Sequence, residues 1–326
     1  MRLLVLGGTR FVGRAVVADA LGRGWEVTTL NRGGRAASDG VRALAADRTD
    51  AAAVRAAIGD DTWDLVVDTW SGAPRVATQT AAALVGHVDR FAYVSSVSVY
   101  VWGAHVDEGS PLVEGGPDAE DGPYDAVKRG AELGVLRSFP DAQIARPGLI
   151  LGPHEDIGRL PWWLSRIARG GDVVAPGRPG RPLQYIDVRD LAAWLLDALA
   201  AGRSGPYDVV GPSGATTTEG LLTACIAATG SDARLVWVGQ DQVLAAGAEP
   251  WTQLPVWVPE GGEFAGFLES DTTKVQAAGL VCRPVEQTVA DTWAWLREQG
   301  PAPRRDDRPV HGLPEELERT LLAAAR

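Results

Sequence analysis

The sequence predicts an α/β chain built on a doubly wound parallel sheet, with a smaller C-terminal part that binds substrate over the sheet's edge. Three observations predict it. Short β-branched apolar runs alternate with amphipathic stretches from the first residues onward, which is the pattern of βαβ units. A glycine-rich turn follows the first apolar run directly. Past Gly152 the alternation stops, and helical stretches separated by Pro and Gly take over.

Taken in order, the periodicity predicts a strand at Leu3–Leu6, a helix from Phe11, strands at Glu26–Leu30 and near Arg42–Ala45, a helix from Asp50 and a strand at Leu65–Asp68. A helix around Ala77–Val85, a strand at Phe91–Ser95, a polar loop over Asp107–Pro123, a helix from Tyr124 and a strand at Gln143–Ala145 follow. Residues 1–155 are thus expected to form a dinucleotide-binding domain, to which residues 183–212 return. Helices at Leu160–Arg169, Val188–Ala200, Thr218–Thr229 and Val285–Gln299 are expected next, with 156–182 and 213–300 as the substrate-binding domain. Residues 301–326 read as a Pro- and charge-rich linker over Pro301–Val310 and a final helix opened by Pro314 and the acids Glu315 and Glu316.

The 326 residues, 45% hydrophobic and 22% charged, suit one large α/β domain or a domain with an appendage. No apolar run approaches the roughly 18 residues of a membrane-spanning helix, and the apolar opening is too short for an export signal. A soluble cytoplasmic protein with no membrane partner is expected. Cys225 and Cys282, the only cysteines, lie far apart without metal-ligand spacing, which fits a reducing compartment and no metal site. A net charge of −11 repels a phosphate backbone, so nucleic acid is not an expected partner.

The turn Gly7-Gly8-Thr9-Arg10-Phe11-Val12-Gly13 joins the first strand to a helix, a Rossmann-like arrangement. Gly7 and Gly8 permit the turn, Gly13 lets helix and sheet pack, and free N–H groups at the helix start suit a pyrophosphate. After the second strand, the acid that would grip the ribose of NAD is replaced by Asn31, and Arg32 follows. A carboxylate there would repel a 2′-phosphate, whereas Arg32 with Arg10 attracts one. NADP(H) is therefore favoured over NAD(H). Asp47, just past the third strand, is placed at the adenine amino group, with capping of the next turn as the alternative, and Arg48 beside it is expected among the cofactor-binding residues.

Tyr124 and Lys128 stand at i and i+4, on one face of a helix that follows Gly122-Pro123. The chain holds 31 Lys and Arg residues, of which only Lys128 and Lys274 are lysines. A sequence that otherwise uses arginine keeps a compact ammonium here, where a guanidinium fork would be a poor substitute. Ser96, in Val94-Ser95-Ser96-Val97-Ser98, sits at the C-terminal edge of the sheet, where open α/β sheets bind ligands.

Together with Arg146-Pro147-Gly148-Leu149-Ile150-Leu151-Gly152-Pro153 and Tyr185-Ile186-Asp187-Val188-Arg189-Asp190, these residues resemble the extended, epimerase/dehydratase-like branch of the short-chain dehydrogenase/reductase family. The resemblance implies an enzyme in which Tyr124 is the general acid/base, Lys128 eases its deprotonation and holds the nicotinamide ribose, and Ser96 orients the substrate oxygen. It also implies a small-molecule substrate and a homodimer through sheet-flanking helices.

The sequence departs from the family in places that bear on substrate. Arg10 stands where the family usually carries a third glycine, a form similar to an atypical subgroup with RNA-binding relatives. Val97 and Ser98 replace the Asp-Glu pair of sugar dehydratases. Leu149 and Leu183 replace polar residues that grip a nucleotide sugar, and the late arginine stretch is absent around Phe264-Ala265-Gly266. Each lost charge-assisted contact is worth about 1.5–3 kcal/mol. The expected reaction is therefore NADP-dependent hydride transfer to or from a small, largely uncharged carbonyl or alcohol. A sugar or nucleotide-sugar epimerase is the alternative, and a non-catalytic NADP-sensing or RNA-binding relative is the third reading. Expected substrate contacts are Ser98, His154, Trp163, Arg181, Trp251 and Trp257.

Overall fold

The computed structural model of the protein describes residues 1–34, 38–103, 106–300 and 309–325. Strands β1 (Arg2–Leu6), β2 (Glu26–Asn31), β3 (Val41–Ala45), β4 (Trp63–Asp68), β5 (Val88–Val94) and β6 (Gln143–Pro147) alternate with helices α1 (Phe11–Gly22), α2 (Ala51–Ile58), α3 (Pro74–Ala83) and α4 (Tyr124–Ser138). The chain then forms β7 (Ile150–Leu151), α5 (Arg159–Ala168), β8 (Asp172–Pro176), β9 (Pro182–Leu183), β10 (Ile186–Asp187) and α6 (Val188–Ala200) before β11 (Gly205–Val209). Strand β11 joins the sheet beside β6, giving seven parallel strands in the order β11-β6-β5-β4-β1-β2-β3. The order reverses at β1, whose neighbours are β2 and β4, and a crevice at such a switch point is where open sheets take their ligands.

The sheet is doubly wound because β1 is apolar on both faces. Leu3 and Val5 pack with Val16, Val17 and Ala20 of α1 and with Leu191 and Leu195 of α6. Leu4 and Leu6 point the other way, into Val54, Ala77, Ala81 and Ala131 of α2, α3 and α4. Fully burying one such leucine stabilises the fold by about 1.5–3 kcal/mol. Helix starts are marked by side chains that satisfy free N–H groups. Asp50 accepts from Ala52 and Ala53 at 2.9 and 3.0 Å ahead of α2, and Asp187 accepts from Arg189 at 2.8 Å ahead of α6.

The second half continues with β12 (Thr216–Thr217), α7 (Thr218–Thr229), β13 (Arg234–Val238), α8 (Gln240–Ala245), α9 (Thr273–Ala277), α10 (Val285–Gln299) and α11 (Glu315–Ala324). Its core joins Trp163, Leu164 and Ile167 of α5 to Leu221 and Leu222 of α7 and Val289 and Leu296 of α10. The parallel pair β8–β13 is an element the helical reading of this half omits. Its runs Val173-Val174 and Leu235-Val236 are short, and the pairing spans about sixty residues of chain. Most of the expected linker, residues 301–308, lies outside the described residues. Helix α11 packs Leu321 into this core and closes a buried ion pair, Arg166 Nε to Glu318 Oε2 at 2.8 Å. Among the described residues, no helix is long and apolar enough to cross a membrane.

Candidate active site

A cavity of about 550 Å³ opens at the C-terminal ends of the strands and runs from Arg10, Phe11, Val12 and Gly13 past Ser96, Tyr124 and Lys128 to Trp251 and Phe267. At its near end the glycine turn is built for close approach. Gly7 and Gly8 have φ of +121° and +93°, where an L side chain is strained. A Cβ on Gly7 would meet Thr69 Oγ1 at 2.6 Å, one on Gly8 would meet Thr29 Cγ2 at 2.7 Å, and one on Gly13 would meet the Gly8 nitrogen at 2.6 Å. Thr9 lies half-buried within the turn. Arg10 is the N-cap of α1, and its side chain makes no capping hydrogen bond, so the first N–H groups of α1 are left for an anion. These residues fit the pyrophosphate of a dinucleotide.

At the end of β2, Asn31 Oδ1 accepts from the Gly33 N–H at 2.9 Å and Arg32 is exposed. Asp47 accepts from the N–H and hydroxyl of Thr49 at 2.9 and 2.8 Å. Those bonds, with Arg32 nearby, hold its carboxyl below the usual range, so Asp47 serves its own turn. Arg48 corrects the sequence expectation. Its guanidinium is buried, binds both oxygens of Asp68 at 2.7 Å and lies 4.9 Å over the Trp70 ring. A buried carboxylate at the end of β4 needs a paired cation, and Arg48 supplies it instead of reaching a cofactor. Arg10, expected beside Arg32, faces Asp156 at 3.6 Å.

The central groups come from β5 and α4. Ser96, two residues past the end of β5, caps a short 3₁₀ turn over Val97–Val99 by accepting from the Ser98 N–H at 3.1 Å, and its hydroxyl meets that of Ser98 at 3.0 Å. Tyr124 is the first residue of α4 and 43% exposed, with its side chain on the cavity wall. Lys128, one turn on, is 3% exposed. Its ammonium donates to the Trp70 and Val94 carbonyls, both at 2.8 Å, and to the Tyr93 hydroxyl at 3.3 Å. Those acceptors hold a charge that burial would otherwise penalise.

One turn further along α4, Glu132 was not singled out by sequence reasoning. It is fully buried and receives Ser95 Oγ at 2.6 Å, Arg146 Nε and Nη2 at 2.8 Å each, and Arg129 at 2.9 Å. Arg146 also donates to Tyr100 Oη at 2.9 Å, which donates to Asp208 at 2.7 Å. The residues flanking the Ser96–Val99 turn, Ser95 and Tyr100, are therefore tied to one ion pair that joins β6 to the helix carrying Tyr124 and Lys128. Burial and the nearby Glu108 push the Asp208 carboxyl up to about 7, against its hydrogen bond from Tyr100. The repeat Tyr124, Lys128, Glu132 at four-residue spacing is the signal that could have found Glu132.

The far wall is aromatic. Trp251 meets Phe267 edge-on at 5.1 Å, Trp102 lies 4.9 Å from Phe267, and Arg159 sits 4.8 Å over Trp251. Trp251 and Leu268 hold φ of +63° and +66°, an uncommon conformation for bulky residues that the surrounding packing must enforce. His311 and Pro309, from the C-terminal segment, complete the rim.

Ser98 and Trp251 line the cavity, whereas four other expected substrate contacts do not. Trp163 is 1% exposed, in the core, with Nε1 donating to the Pro255 carbonyl at 2.7 Å. Trp257 is buried against Gly177. Arg181 is buried and donates to the Pro259 carbonyl at 3.2 Å, and desolvation lowers its proton affinity. His154 packs 5.2 Å from Trp295, and burial, with Arg14 nearby, lowers its imidazole to about 4.

Among curated proteins none matches the chain in sequence. In structure it is similar to the Bordetella bronchiseptica enzyme WbmH solved with NAD+, with a TM-score of 0.70 at 19% identity over 92% of this chain and 99% of that one. It is also similar to the Thermus thermophilus UDP-glucose 4-epimerase solved with NAD, with a TM-score of 0.64 at 22% identity over 92% and 100%. The Thermotoga maritima UDP-glucose 4-epimerase solved with UDP-glucose gives a TM-score of 0.67 at 17% identity over 91% and 99%. The profile of the NAD dependent epimerase/dehydratase family matches residues 3–211, which is more than half of the sequence. The chain belongs to the NAD dependent epimerase/dehydratase family and is a short-chain dehydrogenase/reductase-type enzyme.

Proposed function

We propose that the protein oxidises and re-reduces a secondary alcohol carbon held between Ser96 and Tyr124, as an epimerase that retains its nicotinamide dinucleotide. The observation that carries this reading is a single cavity shared by the α1 N-terminus, Ser96, Tyr124 and Lys128. The bound dinucleotide would supply the hydride acceptor and donor. Ser96 donates a hydrogen bond to the substrate oxygen. As the carbinol C–H bond breaks, Tyr124 takes the hydroxyl proton, and it returns that proton when the carbon is reduced from its other face. Lys128 offers positive charge one turn away from Tyr124; two of its N–H groups are fixed by the Trp70 and Val94 carbonyls, and the one on the Tyr93 hydroxyl at 3.3 Å would turn to the nicotinamide ribose.

The family match and the epimerases among the structural neighbours favour transient over net oxidation. A second reading, net reduction of a largely uncharged carbonyl compound, draws on the aromatic wall and on Leu149 at the cavity surface. The absence of a carboxylate at Val97 and Ser98 counts against dehydration. Incubation with UDP-glucose, UDP-galactose and a panel of neutral ketones and alcohols separates the two. Stereochemical inversion seen by NMR without net absorbance change at 340 nm supports the epimerase. Stoichiometric NADPH or NADH consumption supports the reductase. Neither outcome on the full panel, or either one surviving in Tyr124→Phe, overturns the shared mechanism.

The choice of cofactor rests on Asn31 and Arg32. With no carboxylate at the end of β2 to repel a 2′-phosphate and an exposed guanidinium beside it, NADP is the expected ligand, although solved relatives were crystallised with NAD.

A further inference from the structure

We infer that Arg10 and Asp156 form a clasp across the dinucleotide channel and set how fast the cofactor enters and leaves. Arg10 would hold the pyrophosphate from the glycine turn, and Asp156 would hold Arg10. The inference rests on the dinucleotide reading above, and it gives Asp156 the part of a positioning residue that acts through Arg10.

Four observations support it. Arg10 Nη1 lies 3.6 Å from Asp156 Oδ2, and both residues line the cavity beside the free N–H end of α1. Asp156 is 8% exposed, its Oδ2 makes no hydrogen bond, and it is the only carboxylate on the cavity wall among the described residues. A buried carboxylate needs a compensating cation, and among the described residues Arg10 is the one that meets it. The separation exceeds the 2.7–2.9 Å of a charge-assisted hydrogen bond, and the Arg10 side chain is 44% exposed. The guanidinium is therefore held loosely, with donors left for an anion.

The rim that carries Asp156 is pinned from two sides. Glu155, fully buried, accepts from the Arg159 and Leu160 N–H groups at 2.7 and 3.2 Å and so caps α5. The His311 ring, from the C-terminal segment, bonds to the Pro309 carbonyl at 3.2 Å and faces the Ile157 carbonyl. Asp156 is thus the fixed half of the clasp and Arg10 the half that moves. With a pyrophosphate bound, charges alternate as phosphate, Arg10 and Asp156. Without Arg10, Asp156 would face the phosphate uncompensated and repel it.

The test is stopped-flow fluorescence with NADPH and NADH on the full-length protein, with thermal melts to verify folding. Asp156→Asn is expected to raise both entry and release rates about two- to fivefold, the range of half-exposed ion pairs, while Kd changes less than twofold. Arg10→Gly is expected to weaken affinity, and the double variant Arg10→Gly/Asp156→Asn to bind more tightly than Arg10→Gly alone. Arg10→Lys, which keeps the charge, should fall between wild type and Arg10→Gly. Unchanged rates in Asp156→Asn, or a double variant no tighter than Arg10→Gly, would overturn the clasp and leave the dinucleotide site standing. Absence of binding by the wild type would overturn both.

Discussion

On the sheet side of the cavity, Lys128 hangs from a helix and is held by buried polar partners, and the turn that carries Ser96 is tied down on both sides. Lys128 is clamped by two carbonyls, and Ser95 and Tyr100 are tied to the Glu132–Arg146 pair. On the opposite side, Trp251, Phe267 and Leu268 come from turns and Phe264 from a short 3₁₀ helix; the three aromatic residues pack by their rings, and Trp251 and Leu268 hold positive φ. On the proposed reaction, the two walls separate two tasks. Proton handling needs groups held to a few tenths of an ångström, whereas recognition of a substrate body needs a shaped apolar surface. Changes on the sheet wall should therefore act on kcat or on folding, and changes on the aromatic wall on KM and substrate range.

The largest effect is expected from Tyr124→Phe, which keeps the ring and removes the proton-carrying hydroxyl. Turnover should fall about 10²- to 10⁴-fold with the melting temperature unchanged, as it is a half-exposed residue. Glu132→Ala leaves Arg146 buried and unpaired and should destabilise the fold by about 3–5 kcal/mol, measurable by denaturant melts. Glu132→Gln, which preserves shape, should fold better and still lose turnover through a displaced Ser96 turn. Equal losses from the aromatic wall would dissolve the comparison.

These two walls also differ in how much of them could be read in advance. Gly7, Gly8, Gly13, Tyr124 and Lys128 lie in short spans, so their spacing alone puts them at one turn or on one helix face, and the alternation of strands and helices gave the doubly wound sheet. Arg48, Trp163 and Trp257 show where local reading stops. Their partners Asp68, Pro255 and Gly177 are 20, 92 and 80 residues away, and only folding decides that they face the core. The same holds for Asp156 and His311, whose place at the rim depends on how α5 and the C-terminal segment return to the cavity.

Smaller effects sharpen the contrast. Asp208 and Glu155, both pushed up to about 7 mainly by burial, bind protons in the folded state that the unfolded chain has released. Their contribution to stability is therefore full below the ordinary carboxylate range and is lost as pH rises towards 7. Melting temperature should fall across that window, and Asp208→Asn with Glu155→Gln should flatten the fall. A rise instead would mean that both groups ionise readily in place. Trp251→Ala should raise KM about tenfold with little change in kcat, because it trims apolar contact without touching the reacting carbon. Arg32→Ala should reduce the preference for NADPH over NADH about fivefold in fluorescence titration, and no change in that ratio would place the 2′-phosphate elsewhere.

Crystals of the protein soaked with NADPH or NADH test most directly whether one cavity serves both cofactor and reaction. The expected result is pyrophosphate at the Phe11–Gly13 N–H groups, ribose at Lys128 and the nicotinamide ring beside Ser96 and Tyr124. A dinucleotide bound outside this cavity, or with its nicotinamide turned away from Tyr124, would contradict it.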